Sequence, residues 1–243
     1  NGKLASKGTQ YLLEVPTISY PDWIAKTMNV GRTLKADDFI IQAPEGRTEV
    51  NIALMQPFYF APEFMRDTMP VRNGIVYPDT IREISKVAVV DRYHGNAAVS
   101  KMFWKNVGPI TATSALDSSQ AHDLHNIWVL GNDDDAMALA ANTVADMQGG
   151  WALVSEGEVV ATVRLELAGL ITARPVNEVA AEVEALHNAA DEMDWIGSPG
   201  LPERMRFAFL TASPWQWQLV APYEGNEGGF VNVTNGETHP VVW

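Results

Sequence analysis

Polar and apolar side chains alternate along several segments of the chain, and this alternation predicts strands. Residues 48–55 follow the two-residue period of a half-buried strand. Residues 84–90 are rich in β-branched side chains and predict a strand that is covered on both faces. The Asn-Gly pair at 73–74 and the Glu-Gly pair at 156–157 lie between apolar segments and predict hairpins. Further strand-like segments are 127–130, 206–210, 216–220 and 230–233.

Two other segments carry apolar residues at steps of three and four, which predicts helices. Asn132 is expected to cap the first helix, whose first turn would hold the acidic residues 133–135 and which would end at 149–150. Pro175 lies near the start of the second helix. Strands outnumber helices and hairpins join many of them. The sequence therefore predicts an α+β fold with mixed, mostly antiparallel sheets and two main helices, preceded by a short β lead-in segment.

The start of the chain suggests a piece of a longer protein. It opens Asn1-Gly2, a hairpin dipeptide, without an initiator methionine. We expect residues 1–38 to form a lead-in hairpin and linker from an absent upstream part, and residues 39–243 to form one domain. The Pro- and Gly-containing stretch 198–202 resembles a linker, but the apolar segments after it predict strands that return to the same core.

Composition narrows the class of protein further. Its 243 residues are 47% hydrophobic and 19% charged, which is typical of a soluble globular chain. Subtracting 30 Asp and Glu from 17 Lys and Arg leaves a net charge of −13, which disfavours nucleic-acid partners. The absence of cysteine excludes disulfides and thiolate chemistry and suits a cytoplasmic location. No apolar run approaches the roughly 20 residues that span a bilayer, so no membrane partner is expected.

Three of the five histidines lie in two polar clusters. Residues 91–96 follow the strand predicted at 84–90, and residues 117–126 precede the strand predicted at 127–130. If these strands are antiparallel neighbours, the two clusters meet at one edge of the sheet; if they are parallel, the clusters lie at opposite edges. Grouped imidazoles and carboxylates can bind a metal, move protons or hydrogen-bond a polar ring. The alternative is that these side chains only satisfy backbone groups at strand ends.

Other candidate sites are weaker. The histidines of the second cluster are three residues apart, whereas a helical zincin motif places them four apart. His187 is expected at the surface or at its boundary, and His239 in packing. The chain contains neither a Gly-x-Ser-x-Gly elbow nor a nucleotide-binding glycine motif.

The two clusters and several segments around them resemble the C-terminal domain of bacterial adenine deaminases. The resemblance covers nearly the whole chain, and the segments occur in the order of the family. The matching segments are 1–4, 89–95, 121–131, 132–140, 147–150, 168–171 and 206–210. The chain departs from the family pattern at Tyr93, where a histidine is common, at Leu124, where a serine is common, and at 96–104. A related aminohydrolase with another substrate therefore remains an alternative.

The resemblance implies a hydrolase of purine metabolism that converts adenine and water to hypoxanthine and ammonia. The family holds a divalent metal, manganese or iron, in a (β/α)₈ barrel with a His-x-His pair, but no two histidines of this chain are two residues apart. The chain thus resembles the accessory part alone, with no metal ligand expected in it and no activity expected in isolation. The implied partners are the catalytic barrel domain, a purine base and further copies in a homo-oligomer.

From this resemblance we expect the domain to pack on the barrel and to complete the rim of its active site. The residues expected to be catalytic are His94, His122, Asp123 and His125, and those expected to bind substrate are Arg92, Asn126 and Ser119. The alternative class is a structural or oligomerisation domain without chemistry, with exposed apolar surface at a subunit interface.

Overall fold

A nine-stranded sheet forms the centre of the protein in the computed structural model, which describes residues 2–14, 18–58, 61–108, 113–121, 124–195 and 217–243. Two helices, α1 (Asp134–Asp146) and α2 (Val176–Glu192), occur in this part of the chain. Its strands are β1 (Ser6–Lys7), β2 (Gln10–Tyr11), β3 (Glu49–Phe58), β4 (Ala61–Arg72), β5 (Ile75–Val76), β6 (Ile84–Val90), β7 (Val99–Lys105), β8 (Ser114–Ser118), β9 (Ile127–Gly131), β10 (Gly150–Ser155), β11 (Glu158–Arg164), β12 (Trp217–Val220), β13 (Gly229–Asn232) and β14 (Thr238–His239).

The sheet is mixed and mostly antiparallel, as the sequence predicted. Its strand order is β11-β10-β8-β9-β6-β7-β3-β4-β5, and the pair β3–β7 is parallel whereas its other strand pairs are antiparallel. The strands predicted around 84–90 and 127–130 and the hairpins at 73–74 and 156–157 are present. The segment predicted at 206–210 lies outside the described residues. The fold class is therefore α+β.

Helix α1 covers one face of the sheet, where it packs on β8, β9 and β10. Its buried side chains are small, mainly alanines, so that the helix lies close to the sheet. The cap is Asp133, whose side chain accepts a hydrogen bond from the backbone N–H of Ala136, and not Asn132 as expected. Asn132 is still tied to the sheet through its own N–H, which donates to the carbonyl of Ser114. The acidic first turn, Asp134 and Asp135, is as predicted.

The opposite face is covered by α2 and by the β12–β13 hairpin. Leu186 and Ala190 of α2 and Leu219 and Phe230 of the hairpin belong to the same buried cluster as Trp104 and Trp128 of the sheet. His187 of α2 is 6% exposed. Its expected position at the surface or boundary is therefore wrong, because α2 turns this side chain towards the core.

The lead-in segment is exposed at its start and buried towards its end. The residues of β1 and β2 pair with each other and are exposed. Val30 and Leu34 are buried with α1, and the backbone of Leu34 exchanges two hydrogen bonds with the side chain of Asn142. A domain boundary near residue 38 stays a prediction. No helix in the described part of the chain combines the length and the apolarity that a bilayer-spanning segment needs.

Candidate functional site

The two polar clusters meet at one edge of the sheet. Strands β6 and β9 are antiparallel neighbours, and Val90 at the end of β6 pairs with Ile127 at the start of β9. The cluster that follows β6 and the cluster that precedes β9 therefore leave the sheet side by side. This is the arrangement in which both clusters can contribute to one site.

A buried carboxylate and a half-exposed imidazole form the centre of the first cluster. The Nδ1 atom of His94 lies 2.7 Å from Oδ2 of Asp91. The other carboxylate oxygen of Asp91 accepts a hydrogen bond from the backbone N–H of Tyr93 at 2.9 Å. The side chain of Asp91 is 3% exposed and that of His94 is 52% exposed. An ionised carboxylate only accepts hydrogen bonds, so this contact requires a proton on Nδ1, and Nε2 is the ring nitrogen that is not bonded to Asp91.

The loop that carries this pair is held by the lead-in segment. The N–H of Asn29 donates to the carbonyl of Arg92, and the N–H of Gly95 donates to the carbonyl of Asn29. Gly31 has a φ of 92°, and a Cβ at this position would overlap the backbone of Gly95. Residues 29–31 thus run against the loop at backbone contact and fix its shape.

Tyr93 connects the two clusters. Its hydroxyl lies 3.0 Å from the carbonyl oxygen of Leu124 and 3.1 Å from that of His125, within donating distance of both. The guanidinium of Arg92 lies over its ring, with 5.0 Å between the Cζ atom and the ring centroid. The ring is therefore fixed at its face and at its hydroxyl, and it ties the loop of His94 to the residues before β9.

A third part of the chain reaches the same edge. The ring of Tyr223 lies face to face with the imidazole of His94, with 5.6 Å between centroids and 13° between planes. The side-chain amide of Asn96 donates to the carbonyl of Pro222 at 3.2 Å. The turn between β12 and β13 thereby forms one wall of the site.

Arg92 is buried beneath the site. Its residue exposure is 3%, and its Nη1 donates to the carbonyl of Ala168 at 3.0 Å. Gly169 has a φ of 72°, and a Cβ at this position would overlap both the guanidinium and the side chain of Met28. The segment 165–171 can approach Arg92 this closely because it has glycine there.

Ser119 and Asn126 are also buried. The hydroxyl of Ser119 donates to the carbonyl of Gly169 and accepts from the N–H of Gly150. Asn126, which is 8% exposed, accepts from the N–H of Arg92 through its side chain. These contacts join the residues before β9 to β10 and to β6. Substrate binding by Arg92, Ser119 and Asn126 stays a prediction.

The second cluster is described only in part. His122 and Asp123 lie outside the described residues. His125 has a φ of 52°, a left-handed conformation that is uncommon for a residue other than glycine, and its N–H donates to the carbonyl of Ala121. The catalytic assignment of His94, His122, Asp123 and His125 stays a prediction.

The described residues at this edge include no cluster of metal-ligating side chains. Across the described ranges, no group of three or more histidine, aspartate and glutamate side chains could hold a metal ion. The proton on Nδ1 of His94 and the contact with Asp91 also commit that ring nitrogen to a hydrogen bond. What the geometry offers instead is a base of fixed orientation whose Nε2 can accept or donate a proton.

Asp91 and Tyr223 belong to the site but were missing from the sequence-based set. Asp91 lies three residues before His94 in the first cluster, and that spacing is the signal that could have paired them. Tyr223 belongs to a segment remote in sequence, and the turn residues Pro222, Gly225 and Asn226 mark a loop without showing which loop it contacts. Its place over His94 follows only from the packing of the β12–β13 hairpin.

Comparison with known proteins matches this chain to one family. Residues 63–214 match the model of the family described as adenine deaminase C-terminal domain. Adenine deaminase 1 of Bradyrhizobium sp. (strain ORS 278) is 48% identical over 100% of this chain and 40% of its own length. Adenine deaminase 2 of Jannaschia sp. (strain CCS1) is 45% identical with the same coverage. The adenine deaminase of Moorella thermoacetica is 34% identical over 79% of this chain and 32% of its own length.

The chain spans about 40% of the length of the curated relatives that match all of it. The rest of the length of those relatives has no counterpart in this chain of 243 residues. The family match covers both polar clusters of the edge site, since Asp91, His94 and the residues before β9 all fall within 63–214. Tyr223 lies beyond the family model but within the relatives that cover 100% of the chain.

Proposed function

The chain belongs to the adenine deaminase C-terminal domain family, and from this we propose that it completes the active site of an adenine deaminase. In this proposal the edge site faces the catalytic part that the relatives carry in the rest of their length. The observation that carries the proposal is the pair of Asp91 and His94. A buried carboxylate holds a half-exposed imidazole at the point where both polar clusters meet.

The chemistry of deamination gives this pair a role. When adenine and water become hypoxanthine and ammonia, a proton must pass from the attacking water to the departing amino group. His94 can carry that proton on Nε2, while Asp91 keeps Nδ1 protonated and holds the ring in place. His122, Asp123 and His125 are proposed to share in positioning the base or in the relay, and Arg92, Asn126 and Ser119 to support its binding.

The remaining features belong to the whole protein. The divalent metal, manganese or iron, is proposed to reside in a barrel within the part of the relatives that this chain does not span. The substrate is proposed to be adenine, in purine metabolism, and the location cytoplasmic. Tyr93 and Leu124 stand where the family commonly has other residues, so a purine other than adenine is the first alternative substrate to test.

The test is substitution at the edge in the whole protein. His94→Gln, His122→Ala and His125→Ala are compared with His239→Gln, a histidine that packs against Phe64 and Trp243 in a separate aromatic cluster. We expect kcat for adenine to fall about 100-fold or more in His94→Gln, because general acid–base groups contribute factors of that size. Metal content should stay unchanged. Unaltered kcat and KM in all three edge variants would contradict the proposal.

A second function, association with further copies of the chain, is favoured by exposed apolar side chains. Trp23 is 66% exposed, Ile171 is 60% exposed and Val176 is 83% exposed. Exposed apolar side chains that form one contiguous patch mark subunit interfaces, whereas single ones are ordinary on protein surfaces. Light scattering after size exclusion measures the mass of the whole protein, and a monomer that is fully active would contradict this role.

A further inference from the structure

We propose that Tyr223 is a positioning residue for His94, and this inference rests on the proposed function of the site. The turn at 222–228 brings its ring to the edge of the sheet from the far end of the chain. In this account Asp91 fixes which nitrogen of His94 is protonated, and Tyr223 fixes where the other nitrogen points.

The stack between the two rings lies at the surface. Tyr223 is 43% exposed and the side chain of His94 is 52% exposed, yet the planes are within 13° of parallel. Burial of apolar area does not force two half-exposed rings into one arrangement. Their geometry is instead imposed by the contacts that hold each residue, and these contacts come from both sides.

The turn is anchored to the sheet beside the loop of His94. The hydroxyl of Ser100 in β7 donates to the carbonyl of Val220 at 2.6 Å and accepts from the N–H of Gly229 at 3.0 Å. It therefore clamps both ends of the turn. Asn96, two residues after His94, donates to Pro222 at 3.2 Å. The loop and the turn are thus held to each other directly.

Tyr223 is also fixed within the turn. Its backbone exchanges two hydrogen bonds with Asn226, at 3.0 Å and 2.8 Å. The side-chain amide of Asn226 lies 3.3 Å from the phenol oxygen, and its carbonyl oxygen accepts from the N–H of Gly228 at 2.7 Å. A tyrosine restrained at both its backbone and its hydroxyl can act as a rigid wall.

The two restraints on His94 act in different directions. The N–H of an imidazole points outward in the ring plane, so the hydrogen bond from Nδ1 to Asp91 limits rotation of the ring about the bond that joins it to Cβ. The ring of Tyr223 lies against the face of the imidazole and limits its swing towards solvent. Together they leave Nε2 aimed in one direction, which is the requirement for a group that transfers a proton to a bound base.

The test uses adenine as substrate for the whole protein and four variants. Tyr223→Leu removes the ring, and Tyr223→Phe keeps the ring without the hydroxyl. Tyr77→Leu is the matched control, because Tyr77 is 40% exposed and lies after β5 at the other end of the sheet. His94→Ala reports whether the site itself takes part in catalysis.

We expect Tyr223→Leu to lower kcat about 10- to 100-fold with a much smaller change in KM. Tyr223→Phe should restore most of that loss, and Tyr77→Leu should match the parent protein.

A spectroscopic measurement separates positioning from simple loss of folding. With histidine labelled by ¹³C, the ring signals of His94 are assigned by their disappearance in His94→Ala. We expect them to shift in Tyr223→Leu, since the stacked ring is gone, and to stay near the parent position in Tyr223→Phe. If His94→Ala lowers kcat but Tyr223→Leu does not, the inference is overturned and the proposed function stands. If His94→Ala leaves kcat unchanged, the proposed function fails and the inference with it.

Discussion

The Nδ1 atom of His94 is 2.7 Å from a carboxylate oxygen of Asp91, and only the imidazole of this pair reaches solvent. The carboxylate also accepts a hydrogen bond from the backbone N–H of Tyr93, and this contact holds it in place independently of the imidazole. A histidine oriented in this way by a buried carboxylate is a recurrent arrangement in proton-transfer sites.

Replacing Asp91 by Asn should loosen the choice of tautomer at His94. The carboxamide can either accept or donate, so Nδ1 is no longer held in its protonated form. We expect kcat for adenine to fall about 100-fold in the whole protein. ¹⁵N spectra of the imidazole should show a mixture of tautomers. A single unchanged tautomer together with parental kcat would contradict the assignment.

Replacing Tyr93 by Phe should free the residues before β9. The substitution removes a hydroxyl that lies within hydrogen-bonding distance of the carbonyls of Leu124 and His125. We expect about 1 kcal/mol lower unfolding free energy and faster amide hydrogen exchange at 124–126. Tyr77→Phe, at a tyrosine of similar exposure, serves as control. Exchange rates equal in both variants would show that Tyr93 does not tie the clusters together.

Alanine substitutions at two glycines with similar φ angles should distinguish the cost of backbone strain from the cost of close packing. Gly169 has a φ of 72° and Gly157 has a φ of 80°, but only at Gly169 would a Cβ meet neighbouring atoms, those of Arg92, Met28 and Ser119. Alanine at Gly157 should cost about 1 kcal/mol of unfolding free energy from its backbone conformation alone. Alanine at Gly169 should cost about 3 kcal/mol, because overpacking adds to the strain. Urea titration of both variants measures the difference, and equal losses would contradict the close approach to Arg92.

Asp117 should make the stability of the protein fall as the pH rises. It lies in β8 between Val129 and Ala152, and neither carboxyl oxygen makes a hydrogen bond of ordinary geometry within the described residues. Burial raises the pKa of Asp117 well above its usual range, and the nearby N–H of Ser118 offsets only part of this. The folded state therefore keeps a proton that the unfolded state loses above pH of about 4. From there up to the raised pKa, folding loses about 1.4 kcal/mol per pH unit from this group.

The measurement is the difference between Asp117→Ala and the parent protein. Carboxylates whose pKa is lowered, such as Asp38 and Glu182, act in the opposite sense and cancel in this difference. The parent should lose stability relative to the variant as the pH is raised from 4 to 7. A constant difference over that range would mean that Asp117 is ionised in the folded chain.

Lys86 and Asp134 should respond unequally to substitution. The ammonium of Lys86 contacts the carboxylate of Asp134 at the start of α1, and the two side chains are 2% and 19% exposed. Burial lowers the pKa of Lys86, and Asp134 counteracts this. Asp134→Asn leaves a buried charge without its partner and should cost about 3 kcal/mol, whereas Lys86→Met should change stability by only about 1 kcal/mol. Asp135→Asn is the control in the same helical turn. Equal losses at positions 86 and 134 would contradict this asymmetry.

The sequence predicted the site where periodicity was strong and failed where polar residues were buried. The β-branched run of β6 and the apolar β9 were recognised, and their antiparallel pairing brings the clusters together. Strand β8 was not predicted because Asp117 and Ser118 are typical of a polar loop, although all residues of the strand are buried. Strand β7 was missed because Lys101 and Ser100 interrupt its apolar residues. Their polar atoms are satisfied by carbonyls of Asp38 and Val220, which only the folded structure supplies.

Long-range packing accounts for the rest. The cap of α1 lies one residue later than expected, at Asp133, because the backbone of Asn132 is still held by β8. The contact of Tyr223 with His94 depends on where Ser100 and Asn96 hold the β12–β13 turn. Neither residue has a local sequence signal for that role. Spacing in the sequence can therefore identify a pair such as Asp91 and His94, but it cannot identify a remote residue such as Tyr223 that packs against the pair.

A crystal structure of the whole protein with a bound purine tests the role of His94 directly, through the distance between its Nε2 atom and the purine. We predict that Nε2 of His94 lies within hydrogen-bonding distance of the purine, or one water molecule away from it. A purine bound at a site that His94 does not face, with this edge of the sheet open to bulk solvent, would contradict it.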